Sequence, residues 1–350
     1  MSIEKVGRRN FLKKGTLITA AGAAVFSFEE NQLRAHAQQM PPPRQFGGGE
    51  DRQPTTPDVA GPMPTGTLGG FKVSRLIAGH NLVGWQAHSR DLIYVSQLLR
   101  NYFTDDKVLE TYRKYEEHGI TASFLRIETR SLKLAKQHID TGGRLQWIAQ
   151  IVINEQDQAR DIDLAAQAGA KLGYIRGLEG DKFFKADRMD VIVKGVENAK
   201  KAGLTVGLAT HGLDGMIAAD KMGLPVDFYV KTFNSANYWS AGAPLPPDPN
   251  WKPTKQELVQ SEYSPGAHDN LWETTPRQTA EFFAKVTKPF IAYKVLAAGA
   301  IHPRDGFKYA FDHGADFVSV GMYDFQLKEN TNLTKQMFVE KYDRSRPWRA

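Results

Sequence analysis

Three side chains in the second half of the chain are of types that can make and break bonds at a carbonyl carbon. Lys231 lies in Asp227-Phe228-Tyr229-Val230-Lys231-Thr232, Lys294 follows Tyr293, and His211 ends Ala209-Thr210-His211-Gly212. Each closes a short apolar run. Two lysines held together away from water lower each other's proton affinity, and a neutral amine is a nucleophile or a base. On this reading Lys231 attacks a carbonyl to give an iminium. Lys294 keeps Lys231 deprotonated, and His211 moves the proton. The bland alternative for a lysine near a strand end is a solvated rim residue, and for His211 a structural histidine. Arg126, Gln150, Arg176, His80, Asn234 and Tyr323 stand at the ends of other apolar runs, and Trp239 follows in a loop. These are the candidate substrate-binding residues. Their cationic members suit an anionic group such as a carboxylate, phosphate or enediolate. Ion pairing of Arg126 and Arg176 to Glu128, Glu179 or Asp181 is the competing account. The expected substrate is a small carbonyl or sugar-derived compound, and the chemistry that of a lyase, aldolase or isomerase.

The elements that must position these groups repeat one unit: an amphipathic helix, a glycine, then an apolar run. Gly119, Gly169, Gly203, Gly223 and Gly314 sit where a helix cap needs positive φ. The apolar runs at 75–81, 120–127, 145–152, 171–178, 204–211, 226–234, 290–297 and 316–323 read as strands buried on both faces. Eight strands alternating with helices predict an α/β fold, a (β/α)8 TIM barrel. No Gly-x-Gly-x-x-Gly follows the first run, which disfavours a doubly wound dinucleotide-binding sheet. Insertions at 82–104 and 235–275 fall on the strand C-terminal side, where barrel enzymes build their sites. The second holds Tyr238, Trp239, Trp251, Tyr263 and Trp272, rings that could cover a sugar or form the loop's own core.

Alternation then assigns faces. It turns Phe228, Val230 and Thr232 toward the helices and Lys231 inward. Likewise Ile291, Tyr293 and Val295 go outward and Lys294 inward. Strand five leaves His211 inward, strand three Gln150, strand two Arg126 and strand eight Tyr323. Strand one leaves either His80 or Asn81, and strand four either Arg176 or the pair Gly177 and Glu179.

Gly70-Phe71-Lys72-Val73-Ser74-Arg75-Leu76 and Glu117-His118-Gly119-Ile120-Thr121 resemble the opening of aldo/keto reductases. That resemblance implies the barrel and NADPH chemistry. The family's Asp, Tyr, Lys and His tetrad is not matched: strand two ends Phe124-Leu125-Arg126-Ile127-Glu128, strand three carries Gln150 and strand four Arg176. Asp227 to Thr232 and Tyr293 to Gly299 resemble strands six and seven of deoxyribose-phosphate-type class I aldolases. There the first lysine forms the Schiff base and the second tunes it, which maps onto Lys231 and Lys294; Gln150 replaces that family's strand-three acid. No cofactor is predicted. A divalent metal on His80, Glu179 and His211, or NADPH, is the alternative. So is a non-catalytic periplasmic binding barrel.

The N-terminus, Gly7-Arg8-Arg9-Asn10-Phe11-Leu12-Lys13, resembles a twin-arginine export signal. An uncharged stretch from Gly15 to Phe28 and the small residues of Ala35-His36-Ala37 complete it. The stretch is too short to span a bilayer, which takes about 20 apolar residues. Residues 1–37 are thus expected to be a signal peptide recognised by the twin-arginine machinery, with a periplasmic or otherwise exported product. Residues 38–66, rich in Pro, Gly and Gln, read as a disordered linker, and 67–350 as the barrel. The composition fits a globular protein, 41% hydrophobic and 24% charged in 350 residues. Cysteine is absent, which excludes disulfides, thiolate metal sites and a cysteine nucleophile. The net charge of +6 includes no basic run, so nucleic acid is not an expected partner.

Overall fold

The computed structural model describes residues 56–86, 94–238, 273–339, 344 and 346–350. The export-signal motifs and the aromatic residues Trp239, Trp251, Tyr263 and Trp272 lie outside the described residues. Eight parallel strands close into a barrel: β3 (Leu76–Ala78), β4 (Ala122–Arg126), β5 (Gln146–Ile151), β6 (Leu172–Ile175), β7 (Thr205–Thr210), β8 (Phe228–Thr232), β9 (Phe290–Tyr293) and β10 (Phe317–Val320). Each lies within one of the eight apolar runs. Neighbours in sequence are neighbours in the barrel, and β10 pairs with β3 to close it.

The helices are α1 (Tyr94–Tyr102), α2 (Asp105–Glu117), α3 (Thr129–Asp140), α4 (Arg160–Gln167), α5 (Gly177–Lys185), α6 (Met189–Lys201), α7 (Asp214–Lys221), α8 (Pro276–Lys285), α9 (Pro303–Asp312) and α10 (Leu327–Val339). The turn glycines have the expected positive φ, from 63° at Gly223 to 102° at Gly314. Among the described residues no helix is long and apolar enough to cross a membrane.

Two cores result because every barrel strand buries both faces. Ile77, Phe124, Ile148, Tyr174, Ala209, Val230 and Ile291 fill the barrel interior. Leu76, Trp147, Ala149, Leu208, Tyr229, Ala292 and Val318 pack outward against the helices. Below the interior, β1 (Thr65–Leu68) and β2 (Phe71–Ser74) form an antiparallel hairpin. Its Leu68 and Val73 join the inner cluster and plug the N-terminal end of the barrel.

Residues 56–66 belong to the folded body, not to a disordered tether. Thr56 hydrogen-bonds Glu329 and accepts from Arg304 at 3.0 Å, and Met63 is buried in the outer core. Composition counted the prolines and glycines there. It did not reveal that an open barrel floor offers one hairpin a large apolar surface to cover.

Candidate active site

The inward C-terminal positions follow from the two cores. Phe124, Ile148, Tyr174 and Ala209 face the interior, so Arg126, Gln150, Arg176 and His211, each two residues on, face the mouth above them. The same count from Val230 and Ile291 brings Thr232 and Tyr293 to the mouth. These six come from six consecutive strands or their ends.

His211 is the best-defined group. Its Nδ1 lies 2.7 Å from Asp181 Oδ2, on the second turn of α5. The Asp181 carboxylate also accepts the backbone N–H of His211 at 3.0 Å and that of Gly212 at 3.2 Å. Burial works to raise the Asp181 carboxyl, but the His211 hydrogen bond and charge and these N–H donors hold it below the ordinary value. An ionised carboxylate only accepts, so Nδ1 carries the proton and Nε2 the lone pair. Burial pushes the imidazole below 6.5; Asp181 opposes this, while the charges of Lys294 and Lys231 add to it. A neutral imidazole held in one tautomer by a carboxylate is a general base.

The arginines are held on the same rim. Arg176, at the N-cap of α5, makes two hydrogen bonds to Glu179, both at 2.8 Å. Arg126 Nε is 3.4 Å from Glu128 Oε2. The ion-pair account of these two residues is therefore realised, and each cation reaches the mouth with a carboxylate attached. Gln150 sits between them in register, opposite Arg126 on β4 and Tyr174 on β6.

Several expected positions are corrected. Lys231 does not face the mouth. It points to the helix layer, fully buried, with Nζ 2.9 Å from Glu273 Oε2 and 2.8 Å from the Thr232 carbonyl oxygen. Glu273 is itself 1% exposed and accepts from Thr279 at 3.2 Å. An amine so enclosed, and ion-paired to Glu273, offers no approach to a carbonyl carbon. Tyr293 takes the inward place assigned to Lys294, which follows β9 with φ 57°. The alternation failed on β8 and β9 because Phe228, Val230 and Ile291 suit either buried face, so the lysines alone decided the parity, and Lys231 is tolerated on the helix side by Glu273. His80 is 2% exposed and turned outward. Its Nε2 is 3.0 Å from Ser131 on α3 and 3.7 Å from Glu128.

Asn234 is wholly buried and structural. It donates to the Lys294 carbonyl oxygen at 3.1 Å and accepts from Ala236 N–H at 2.9 Å. Tyr323 leaves the mouth for an aromatic stack with Phe103 and Phe325. Trp239 lies outside the described residues. The alternative metal set is dispersed: His80 sits with Glu128, Glu179 with Arg176 and His211 with Asp181. No group of three metal-ligating side chains occurs among the described residues.

Sequence reasoning missed Tyr293 and Thr232 as mouth residues and gave Asp181 no role as the partner of His211. The signal for the first two was Ile291 and Val230, equally fit to face inward. For Asp181, the start of a helix directly after β6 was the available cue.

No family model matches the chain, and no curated protein matches it. Solved structures do. A Pseudomonas aeruginosa protein assigned to the aldo-keto reductases superposes with a TM-score of 0.53 at 16% identity, over 78% of this chain and 95% of the other. An aldo-keto reductase from Bacillus halodurans gives 0.50 at 11% identity, over 77% and 90%. The 2-keto-3-deoxy-6-phospho-gluconate aldolase from Zymomonas mobilis gives 0.40 at 14% identity, over 68% and 89%. The chain thus shares the barrel fold of the aldo-keto reductases, a fold that hosts many chemistries.

Proposed function

We propose that this barrel is an enzyme that moves a proton on a small carbonyl or sugar-derived substrate carrying an anionic group, in isomerase or lyase chemistry. The observation that carries this reading is the Asp181–His211 contact of 2.7 Å at the mouth. It supplies an oriented neutral base with Arg126, Arg176 and Gln150 on the neighbouring strands to bind substrate. Lys231, enclosed with Glu273, does not serve as the nucleophile, and the charges of Lys231 and Lys294 lower the proton affinity of His211.

The test is hydrogen exchange. Dihydroxyacetone phosphate, pyruvate and D-glucuronate are incubated with the protein in D2O, and loss of the C–H signal next to the carbonyl is followed by NMR. Catalysed exchange of at least one is the expected result. No exchange from any of them would remove the proposal.

NADPH-dependent oxidoreduction is the second reading, supported by the likeness to aldo-keto reductases. The residues do not fit it: the strands that would bear the tetrad end in Arg126, Gln150 and Arg176, and both arginines are already bound to carboxylates. No step is therefore derived through NADPH. NADPH oxidation by a carbonyl substrate would reverse the choice.

Export by the twin-arginine route is part of the same proposal and is supported by Arg8, Arg9 and the residues around them. In a bacterial host, Arg8→Lys with Arg9→Lys is expected to retain the full-length chain in the cytoplasm. Unchanged periplasmic recovery would exclude that route.

A further inference from the structure

Two hydroxyls at the mouth have no partner beyond each other. Tyr293 Oη and Thr232 Oγ1 are both buried, and no third group hydrogen-bonds either of them. They belong to facing residues, Thr232 on β8 being the register partner of Tyr293 on β9. Both project inward, as the positions of Val230 and Ile291 require. A buried hydroxyl without a partner costs free energy unless a bound group uses it.

Their surroundings are those of the base. The rings of Tyr293 and His211 have centroids 5.6 Å apart. Gly177 opens α5 beneath both: a Cβ there would lie 2.7 Å from Tyr293 Oη and 2.9 Å from His211 Cε1. The absent side chain lets the phenol and the imidazole edge both pack against the Gly177 backbone. Among the described residues, nothing is hydrogen-bonded to His211 Nε2.

We infer that the Tyr293 and Thr232 hydroxyls form a seat for the carbonyl oxygen of a substrate that carries a C–H bond next to that carbonyl. This rests on the acid–base reading of His211 given above. Two O–H donors match the two lone pairs of one carbonyl oxygen. His211 Nε2 takes the proton of the C–H bond. The electron pair of that bond becomes the carbon–carbon π bond, and the former carbonyl π pair moves onto oxygen. The resulting enolate oxygen is held by both hydroxyls. His211 then returns its proton to carbon, at the same or the adjacent position.

Tyr293 keeps its own proton throughout: burial raises its phenol far above the usual range, with Asp181 and Glu273 acting in the same direction and Thr232 and Arg176 against it. It is a donor to the developing charge, not an acid that gives its proton away. The ligand class is therefore an enolisable aldehyde, ketone or 2-keto acid.

The experiment compares Tyr293→Phe, Thr232→Val and His211→Asn with the unmodified protein in the D2O exchange assay, using the same three probes. Tyr293→Phe is expected to lower the maximal exchange rate about 100- to 1,000-fold with little change in half-saturation. Thr232→Val should lower it about tenfold, a smaller effect because Tyr293 remains. Neither variant breaks a hydrogen bond to any group outside this pair of hydroxyls, so melting temperatures should stay near the parent value. A merely structural role would move the melting temperature and not the rate. If both hydroxyl variants exchange at the parent rate while His211→Asn does not, the oxygen seat is wrong and the base stands. If His211→Asn also exchanges at the parent rate, or the unmodified protein exchanges no probe, the functional reading falls and the seat falls with it.

Discussion

His211→Asn should lower catalysed exchange about 1,000-fold, within the range that removing a positioned general base produces. The variant keeps a polar group of similar shape beside Asp181, so the fold should persist by circular dichroism. The pH dependence has a definite sign. The base works when neutral, and burial places its pKa below 6.5. Activity should therefore be constant through neutrality and fall as pH drops below that value. The groups acting on the imidazole are Asp181 on α5, Lys231 on β8 and Lys294 after β9, with the Tyr293 ring packed against it. Asp181→Asn removes the one that raises the pKa, so the acid limb should move to lower pH.

Linkage adds a stability effect of the same sign. Below about 6.5 the unfolded chain binds a proton at this position that the folded chain resists, so acid destabilises the fold. His80, also lowered chiefly by burial, contributes in the same sense. A limb found above pH 7 would show that the imidazole is held charged and is not the base.

Lys231→Met should destabilise the fold by about 3–5 kcal/mol, the cost of leaving a buried carboxylate without its partner. Glu273 would be left 1% exposed with neutral hydrogen-bond donors in place of a cation, the Thr275 backbone N–H and the Thr279 hydroxyl. Replacing both members, Lys231→Met with Glu273→Leu, should recover much of the loss, because removing both charges also removes their desolvation cost. Urea unfolding of the two variants measures this. A Lys231→Met protein that keeps its stability and loses exchange would restore the amine as the reacting group.

The fold was largely legible because its signal is repetition. Five cap glycines and eight apolar runs recur at the spacing of a βα unit, and each run contains an observed strand. Site geometry was legible where one face of a strand differed from the other. On β5, Trp147, Ala149 and Ile151 are plainly lipophilic neighbours for helices, which leaves Gln150 inward. On β7, Val206 and Leu208 do the same for His211. On β8 the candidates for the two faces were Phe228, Val230 and Thr232 against Tyr229, Lys231 and Phe233. Lysine looked like the odd residue and so like the functional one. What makes it tolerable on the helix side is Glu273, 42 positions further along the chain. No local pattern announces such a partner.

The barrel's closing joint has a consequence for how the molecule assembles and opens. β3 has three residues and a single register pair with β4, against three with β10. Asp324, just beyond β10, reaches Lys107 at 2.7 Å and Lys114 at 2.8 Å on α2, and bonds Tyr102. Lys107 and Asp324 are 217 positions apart. Bringing such distant segments together carries a loop-closure entropy cost, and contacts of this range slow assembly. The cylinder should thus be completed late in folding. Amide hydrogens of β3 should exchange with solvent ahead of those in β5 to β8, the more densely laddered wall that carries Gln150 and Thr232.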